Sequence, residues 1–288
     1  MAIKARFATT SNSIRSFFNK EPQKVYSEEQ LTKIFDEKRT IWNLLDFMTP
    51  GRFIVQLQQE GIIKLREIIF ESYVGKKIRY TVEGFSVFEL AVSLINKSYL
   101  SHYSAVYLND LTTQIPKTIY ITFEQSLKRN VDTDLEQKAI DHAFSKPQRK
   151  TEAIARYEGY SFIMLNGKFS NRAGIKDIGR IPVTGLERTL IDIMVRPSYA
   201  GGVNAVLEAF RKASDNVSLN RLVATLDKLD FIYPYHQALG FYLEKAGYSG
   251  KKLEELRRRK KPFKFYLTYN MLVNEYSKEW RLYYPKGI

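Results

Sequence analysis

FMTPGRFIVQLQQEGIIKLREI, residues 47–68, opens like a helix, stops at a glycine and runs on into an apolar strand. Thr49 is an N-cap candidate, and Pro50 fits the first helical position, where its missing N–H would have no partner in any case. Gly61 supplies the stop. At about 100° per residue, Phe53, Ile54 and Leu57 fall on one side of the predicted helix, while Arg52, Gln56 and Gln59, at i, i+4 and i+7, fall on the other.

The flanking sequence gives this helix a context. Upstream, Ser27 precedes Glu28 and Glu29, an N-cap followed by an acidic first turn, and Leu31, Ile34 and Phe35 form an apolar stripe. A further helix is expected over residues 40–46, with Ile41, Leu44 and Leu45 on one side. Downstream, residues 62–70 and 76–82 are rich in branched and aromatic residues around Gly75 and read as a hairpin. Helix, helix, helix and hairpin within residues 27–85 is the order of a winged helix-turn-helix. A major groove admits a helix, and Arg and Gln fork to guanine and adenine edges. The candidate DNA-binding set is therefore Thr49, Arg52, Gln56 and Gln59 on the helix, with Lys64, Arg66, Lys76, Lys77 and Arg79 on the hairpin for phosphates. Residues 1–26 read as a basic, loose arm carrying Lys4, Arg6, Arg15, Lys20 and Lys24, with a short helix around residues 14–18 as the alternative.

Composition narrows the partners. The 288 residues carry a formal net charge of +14, which favours an anionic polymer or surface. Residues 249–288 are the densest in charge, with 11 Lys and Arg against 4 Asp and Glu. There is no cysteine, which excludes a disulfide framework and thiolate metal sites. No leader-like N-terminus is evident, and no apolar run reaches the roughly 18 residues of a membrane helix. The expected location is the cytoplasm, with no membrane partner.

Residues 86–288 read as a second, mixed domain, so the fold class expected is α+β. Helices are expected over residues 87–95, 101–108, 185–194, 202–213, 219–229, 235–246 and 253–261, and strands over 117–123, 160–165, 264–268 and 280–284. Catalytic constellations are weak. Asp132 and Asp134 form an Asp-x-Asp pair, but no glycine-rich phosphate turn precedes them. Glu136 and Lys138 are a fragment of a metal-nuclease pattern without a second acidic ligand nearby. His102, His142 and His236 lack ligand spacing. The expectation is a protein without catalysis, metal or cofactor. The alternatives are an RNA- or tRNA-binding protein and a metal-dependent nuclease or nucleotidyltransferase.

Two segments of the second half carry distinctive chemistry. LERTLIDIMVRPSYAGG, residues 186–202, places Arg188 and Asp192 one turn apart and puts Arg196 and Tyr199 at a sharp exit. KKLEELRRRKKPFK, residues 251–264, holds eight positive and two negative charges, including Arg257, Arg258 and Arg259. Its density suits a polyanion or an acidic partner.

YLSHYSAVYLNDLTTQIPKTIYITFEQS (99–126), DHAFSKPQR (141–149) and PVTGLERTLIDIMVRPSYAGG (182–202) together resemble the AbiEi family of bacterial antitoxins, over roughly residues 27–287. The resemblance implies a winged helix-turn-helix followed by a mixed α/β C-terminal antitoxin domain. It implies repression of the protein's own operon through inverted repeats, and neutralisation of a nucleotidyltransferase-type toxin with or without a stable complex. It aligns the DNA-reading helix with residues 49–60 and assigns the antitoxin role to residues 86–288. Arg188, Arg196, Tyr199, Arg257, Arg258 and Arg259 are the candidates on chemical grounds. Without a zipper or a long exposed apolar helix, monomers binding the repeats cooperatively are expected.

Overall fold

The computed structural model describes residues 2–72, 74–126 and 135–288, with side chains at the N-terminal end described from Thr10 onward. It is an α+β chain that divides into two compact units. The first is Met1–Ser98 together with Ala153–Phe162; the second is Tyr99–Glu152 together with Ile163–Ile288. The boundary expected after residue 85 thus lies at Ser98, and the first unit recovers a later segment of chain.

The first unit runs α1 (Ala2–Lys20), β1 (Val25–Tyr26), α2 (Glu28–Lys38), α3 (Pro50–Gln59), β2 (Lys64–Ile69), β3 (Lys76–Thr81) and α4 (Val87–Ser93). Its sheet has the order β1-β3-β2, antiparallel throughout. Ser27 caps α2 in a reciprocal box: its hydroxyl accepts from Gln30 N at 3.2 Å, and its own N–H donates to Gln30 Oε1 at 2.8 Å.

Two expectations for this unit need correction. Residues 1–26 are not a loose arm. Residues 2–20 form α1, whose Ile14 and Phe18, one turn apart, are fully buried. Phe18 meets Tyr26 edge-on at 5.5 Å, and Arg15 Nη2 donates to Glu60 O at 2.6 Å, satisfying a carbonyl at the end of α3. Two apolar side chains one turn apart in a polar sequence are enough to dock a helix when a core waits for them. Residues 40–46, expected as a helix, are turns instead. Asn43 sits in the left-handed region with φ 47°, and Leu44 N bonds back to Arg39 O at 2.9 Å. Trp42 and Leu44 still reach the core, where Trp42 stacks on Phe53 at 5.8 Å.

The second unit continues with β4 (Tyr99–Leu100), α5 (His102–Leu108), β5 (Thr118–Glu124) and α6 (Gln137–Phe144). β6 (Ile154–Tyr157) belongs to the first unit, where Ala155 bridges Phe70 and Glu71 N donates to Ile154 O at 2.9 Å. β7 (Tyr160–Gly167), β8 (Ile175–Ile178) and β9 (Ile181–Thr184) follow. The sheet of the second unit runs β7-β5-β4-β9-β8, with β4 parallel to β9. Helices α7 (Leu186–Val195), α8 (Val203–Lys212), α9 (Leu219–Leu229), α10 (Tyr235–Lys245) and α11 (Lys251–Arg258) come next, then a small sheet, β10-β12-β11, from β10 (Phe265–Tyr266), β11 (Asn274–Ser277) and β12 (Leu282–Pro285).

The helical core of this unit centres on α7, α8 and α10. Phe210 and Tyr242 stack at 5.2 Å, and Trp280 is fully buried. Trp280 lies so close to α10 that a Cβ on Gly240 would stand 2.0 Å from the indole, so only glycine fits there. Asn109 at the end of α5 donates to Thr184 O at 2.9 Å and Thr189 Oγ1 at 3.1 Å, tying α5 to the β9–α7 turn. Among the described residues, no helix is long and apolar enough to cross a membrane.

Candidate functional site

On α3, Thr49 Oγ1 accepts from Arg52 N at 3.4 Å, and Gly61 follows the helix at φ 62°. Phe53, Ile54 and Leu57 pack into the first unit's core. Arg52 and Gln59 are exposed, and so is Val55, at 50 %. Gln56 is not on this face: it is only 7 % exposed and donates to Glu60 Oε1 at 3.2 Å. The buried arc simply extends past Phe53 by about 60°, the offset that three residues back from Gln56 produces on a helical wheel. The exposed ridge is therefore Arg52, Val55 and Gln59.

The hairpin separates its charges into two groups. Arg66 and Arg79 are directly opposed across the strands, a destabilising pairing unless each finds another partner. Each does. Arg66 donates to Thr81 Oγ1 at 3.0 Å and Glu158 Oε1 at 2.9 Å, and lies 5.2 Å over the Phe85 ring. Arg79 Nε donates to Ser93 O at 2.9 Å, and burial pulls its pKa down. Lys76 pairs with Glu67 at 2.5 Å. The side chains of Lys64 and Lys77 carry no hydrogen bond or ion pair among the described residues, and neither do those of Arg52 and Gln59. Arg66 and Arg79, expected to meet phosphates, instead hold the hairpin to its own unit.

In the second unit, Arg188 is 6 % exposed and is not available to a partner. Its Nε bonds Asp192 Oδ1 at 2.8 Å, and its Nη1 bonds Ala173 O at 2.7 Å and Ser170 Oγ at 3.2 Å. Burial pushes the Asp192 carboxyl up despite that pairing. Glu124 accepts from Ser170 N at 3.0 Å and Arg172 N at 3.2 Å; burial pushes its carboxyl up, but these bonds leave it below the usual value. The Arg188–Asp192 pair therefore locks the turn at residues 170–174 to α7.

Arg196, at the end of α7, is in the opposite condition. It is exposed, and its side chain has no hydrogen bond or ion pair among the described residues; its guanidinium lies 5.8 Å over the ring of Tyr199. Tyr199 is buried at 4 % exposure, and its hydroxyl has no hydrogen-bond partner among the described residues. It meets the His102 ring edge-on at 5.4 Å. His102 Nδ1 is 2.7 Å from Ser101 Oγ, which is 2.6 Å from Thr122 Oγ1. Burial, with Arg196 and Arg188 nearby, pushes His102 down to about 3, so it is neutral near pH 7. Arg196 lines two cavities of about 300 and 440 Å³, both also lined by Tyr233 and Tyr269.

The basic segment 251–264 is less free than its composition suggests. Arg257 bonds Glu244 at 2.8 Å and Glu254 at 2.5 Å, while Arg259 bonds both oxygens of Asp227 at 2.7 and 2.8 Å. Arg258 alone of the three candidates is exposed without such a bond. Asp132 and Asp134 lie outside the described residues. Glu136 stands at the N-cap position of α6, with Lys138 in its first turn. Among the described residues, no three His, Cys, Asp or Glu cluster as metal ligands would.

No family model and no curated protein matches the chain. Among solved structures, the chain is similar to the RV2827C protein from Mycobacterium tuberculosis, with a TM-score of 0.58 at 15% identity, covering 96% of this chain and 91% of that one. At this identity the likeness speaks to the fold alone.

Proposed function

We propose that the protein is a DNA-binding autorepressor and antitoxin, its first unit a winged helix-turn-helix and its second the antitoxin part. The observation that carries the DNA-binding half is the order α1-β1-α2-α3-β2-β3 with sheet order β1-β3-β2, joined to an α3 ridge of unpartnered Arg52 and Gln59. In this reading α3 enters a major groove, with Arg52 and Gln59 at base edges. Val55, between them, suits a thymine methyl. Lys64 and Lys77 on the hairpin meet phosphates as the wing. The antitoxin half rests on the resemblance carried by residues 99–126, 141–149 and 182–202 to the AbiEi antitoxins. The partners are then inverted repeats upstream of the protein's own gene, filled cooperatively by monomers, and a nucleotidyltransferase-type toxin.

The test for the first half is fluorescence anisotropy on DNA from that upstream region. Arg52→Ala should cost about 1–3 kcal/mol and relax sequence preference, whereas Lys77→Ala should weaken all sequences alike and flatten the salt dependence. Unchanged affinity and preference in Arg52→Ala would remove α3 as the reader. For the second half, the full chain carrying Arg52→Ala is co-expressed with the neighbouring gene. Growth rescue without repression supports two separable roles, and no rescue by the wild-type chain contradicts the antitoxin role.

A further inference from the structure

Several arginines of the second unit pair with a carboxylate, within a helix as Arg188 does with Asp192, or from another segment as do Arg221 with Glu187, Arg257 with Glu244 and Arg259 with Asp227. Arg196 makes no such ion pair among the described residues, although it lines two cavities and lies over the ring of Tyr199. The cavity of about 440 Å³ is lined by Lys146, Arg149 and Arg196 with no Asp or Glu among its described lining residues, while the other is lined by Asp192, the carboxylate that Arg188 already holds. Lys146 Nζ lies 2.8 Å from His142 Nε2, so that imidazole nitrogen accepts and leaves the ammonium's remaining donors to point elsewhere. Gln148, in the same wall, accepts from Ser198 through Oε1 at 2.8 Å, while its buried Nε2 has no acceptor. The three cations are exposed and free to turn toward a ligand, and the buried Gln148 Nε2 is a donor whose missing acceptor a bound anion would supply.

The anion has a neighbour. Tyr233 and Tyr269 line both cavities, and Tyr269 is braced from behind by Phe144, stacked at 4.4 Å. Each cavity, about 300 and 440 Å³, falls in the range of a few hundred Å³ that suits a small organic ligand. We infer that this paired cavity binds a phosphorylated nucleoside, with the phosphate between Arg196, Arg149 and Lys146 and the base against Tyr233 and Tyr269. Such a group reaches the protein as a free mononucleotide or as the terminal nucleotide of an RNA. The inference concerns the second unit only and does not depend on DNA binding by the first.

The experiment is calorimetric titration of the full chain with AMP and CMP, with adenosine, inorganic phosphate and a short 5′-phosphorylated RNA beside them. At least one mononucleotide or the RNA should bind with Kd below about 1 mM. Arg196→Ala and Arg149→Ala, both surface changes that leave the thermal transition in place, should each weaken that binding about tenfold. Adenosine and phosphate should each bind more weakly than AMP. Tighter binding of the RNA identifies a chain end as the source, and tighter binding of the mononucleotide identifies the free metabolite. The inference is overturned if neither class binds, if phosphate alone binds as tightly as AMP, or if both arginine variants bind as the wild type does.

Discussion

On α3, Arg52 and Gln59 stand in solvent with no partner among the described residues, whereas on and beside α11, Arg257 and Arg259 are clamped by Glu244, Glu254 and Asp227. By composition the ranking would be reversed, since residues 251–264 hold eight positive charges and residues 49–60 only one. The difference teaches that charge density along a chain is not free charge. What can reach a partner is the residue that the fold has left without an acceptor, and that depends on carboxylates within a helical turn, such as Glu254, and on others as far as 92 residues away, such as Glu158. The same contrast recurs within one segment, where Arg188 is buried against Asp192 and the side chain of Arg196, eight positions on, has no acceptor among the described residues.

The sharpest way to break this contrast is to remove a consumed arginine and look for loss of fold rather than loss of binding. Arg188→Ala leaves the Asp192 carboxyl buried and unpaired, and should cost about 3–5 kcal/mol in urea unfolding monitored by circular dichroism. A cost below about 1 kcal/mol would mean the pair is not structural. Next in size is Arg52→Ala, with its loss of DNA affinity and no change in stability. Surface substitutions at exposed helix positions normally stay within about 0.5 kcal/mol, so an unfolding midpoint that moved well beyond this would show Arg52 to be consumed as well.

His102 yields a pH-dependent version of the same test. Its folded-state pKa, about 3, lies below the ordinary 6.5, so the unfolded chain takes up the proton first. The contribution to stability is fully present above pH 6.5 and is lost as pH falls toward 3. Between pH 6.5 and 5 the loss should be on the order of 1–2 kcal/mol. His102→Gln, which cannot be protonated, should flatten that part of the urea-midpoint profile, and an unchanged slope would place the histidine in contact with solvent. The smallest effect belongs to Arg259→Ala, a partly exposed pair with Asp227. It should change stability by no more than about 1 kcal/mol and leave DNA affinity as it was. A large drop in DNA affinity would instead bring the basic segment into the interface.

Much of the architecture was legible from local signals. Ser27 and Thr49 cap the helices they were expected to cap, Gly61 ends α3, and the two hairpin strands pair as their branched residues suggested. The helix of residues 219–229 matches α9 throughout. What escaped was decided by tertiary contact. α1 is polar in sequence and is ordered by two buried side chains meeting a distant core. Residues 40–46 have a helical stripe, but the chain turns at Asn43 instead. α6 was hidden in a mixed polar stretch, and β6, β8 and β9 are four-residue strands whose pairing supplies what their sequences lack. At the candidate site, Arg52 and Gln59 were readable from the wheel, but Gln56 was not, because the width of the buried arc depends on what packs against it. Arg66 could not be seen as consumed when its partner, Glu158, lies 92 residues on. Tyr233 and Tyr269 carried no local signal, since only folding brings them to Arg196.

The most direct test of the central claim is anisotropy of the purified chain on the DNA immediately upstream of its own gene, at two salt concentrations, with scrambled DNA of equal length. DNA reading by α3 predicts selective binding that weakens steeply with salt and loses its selectivity in Arg52→Ala. Equal affinity for the scrambled DNA, or none for either, would contradict it.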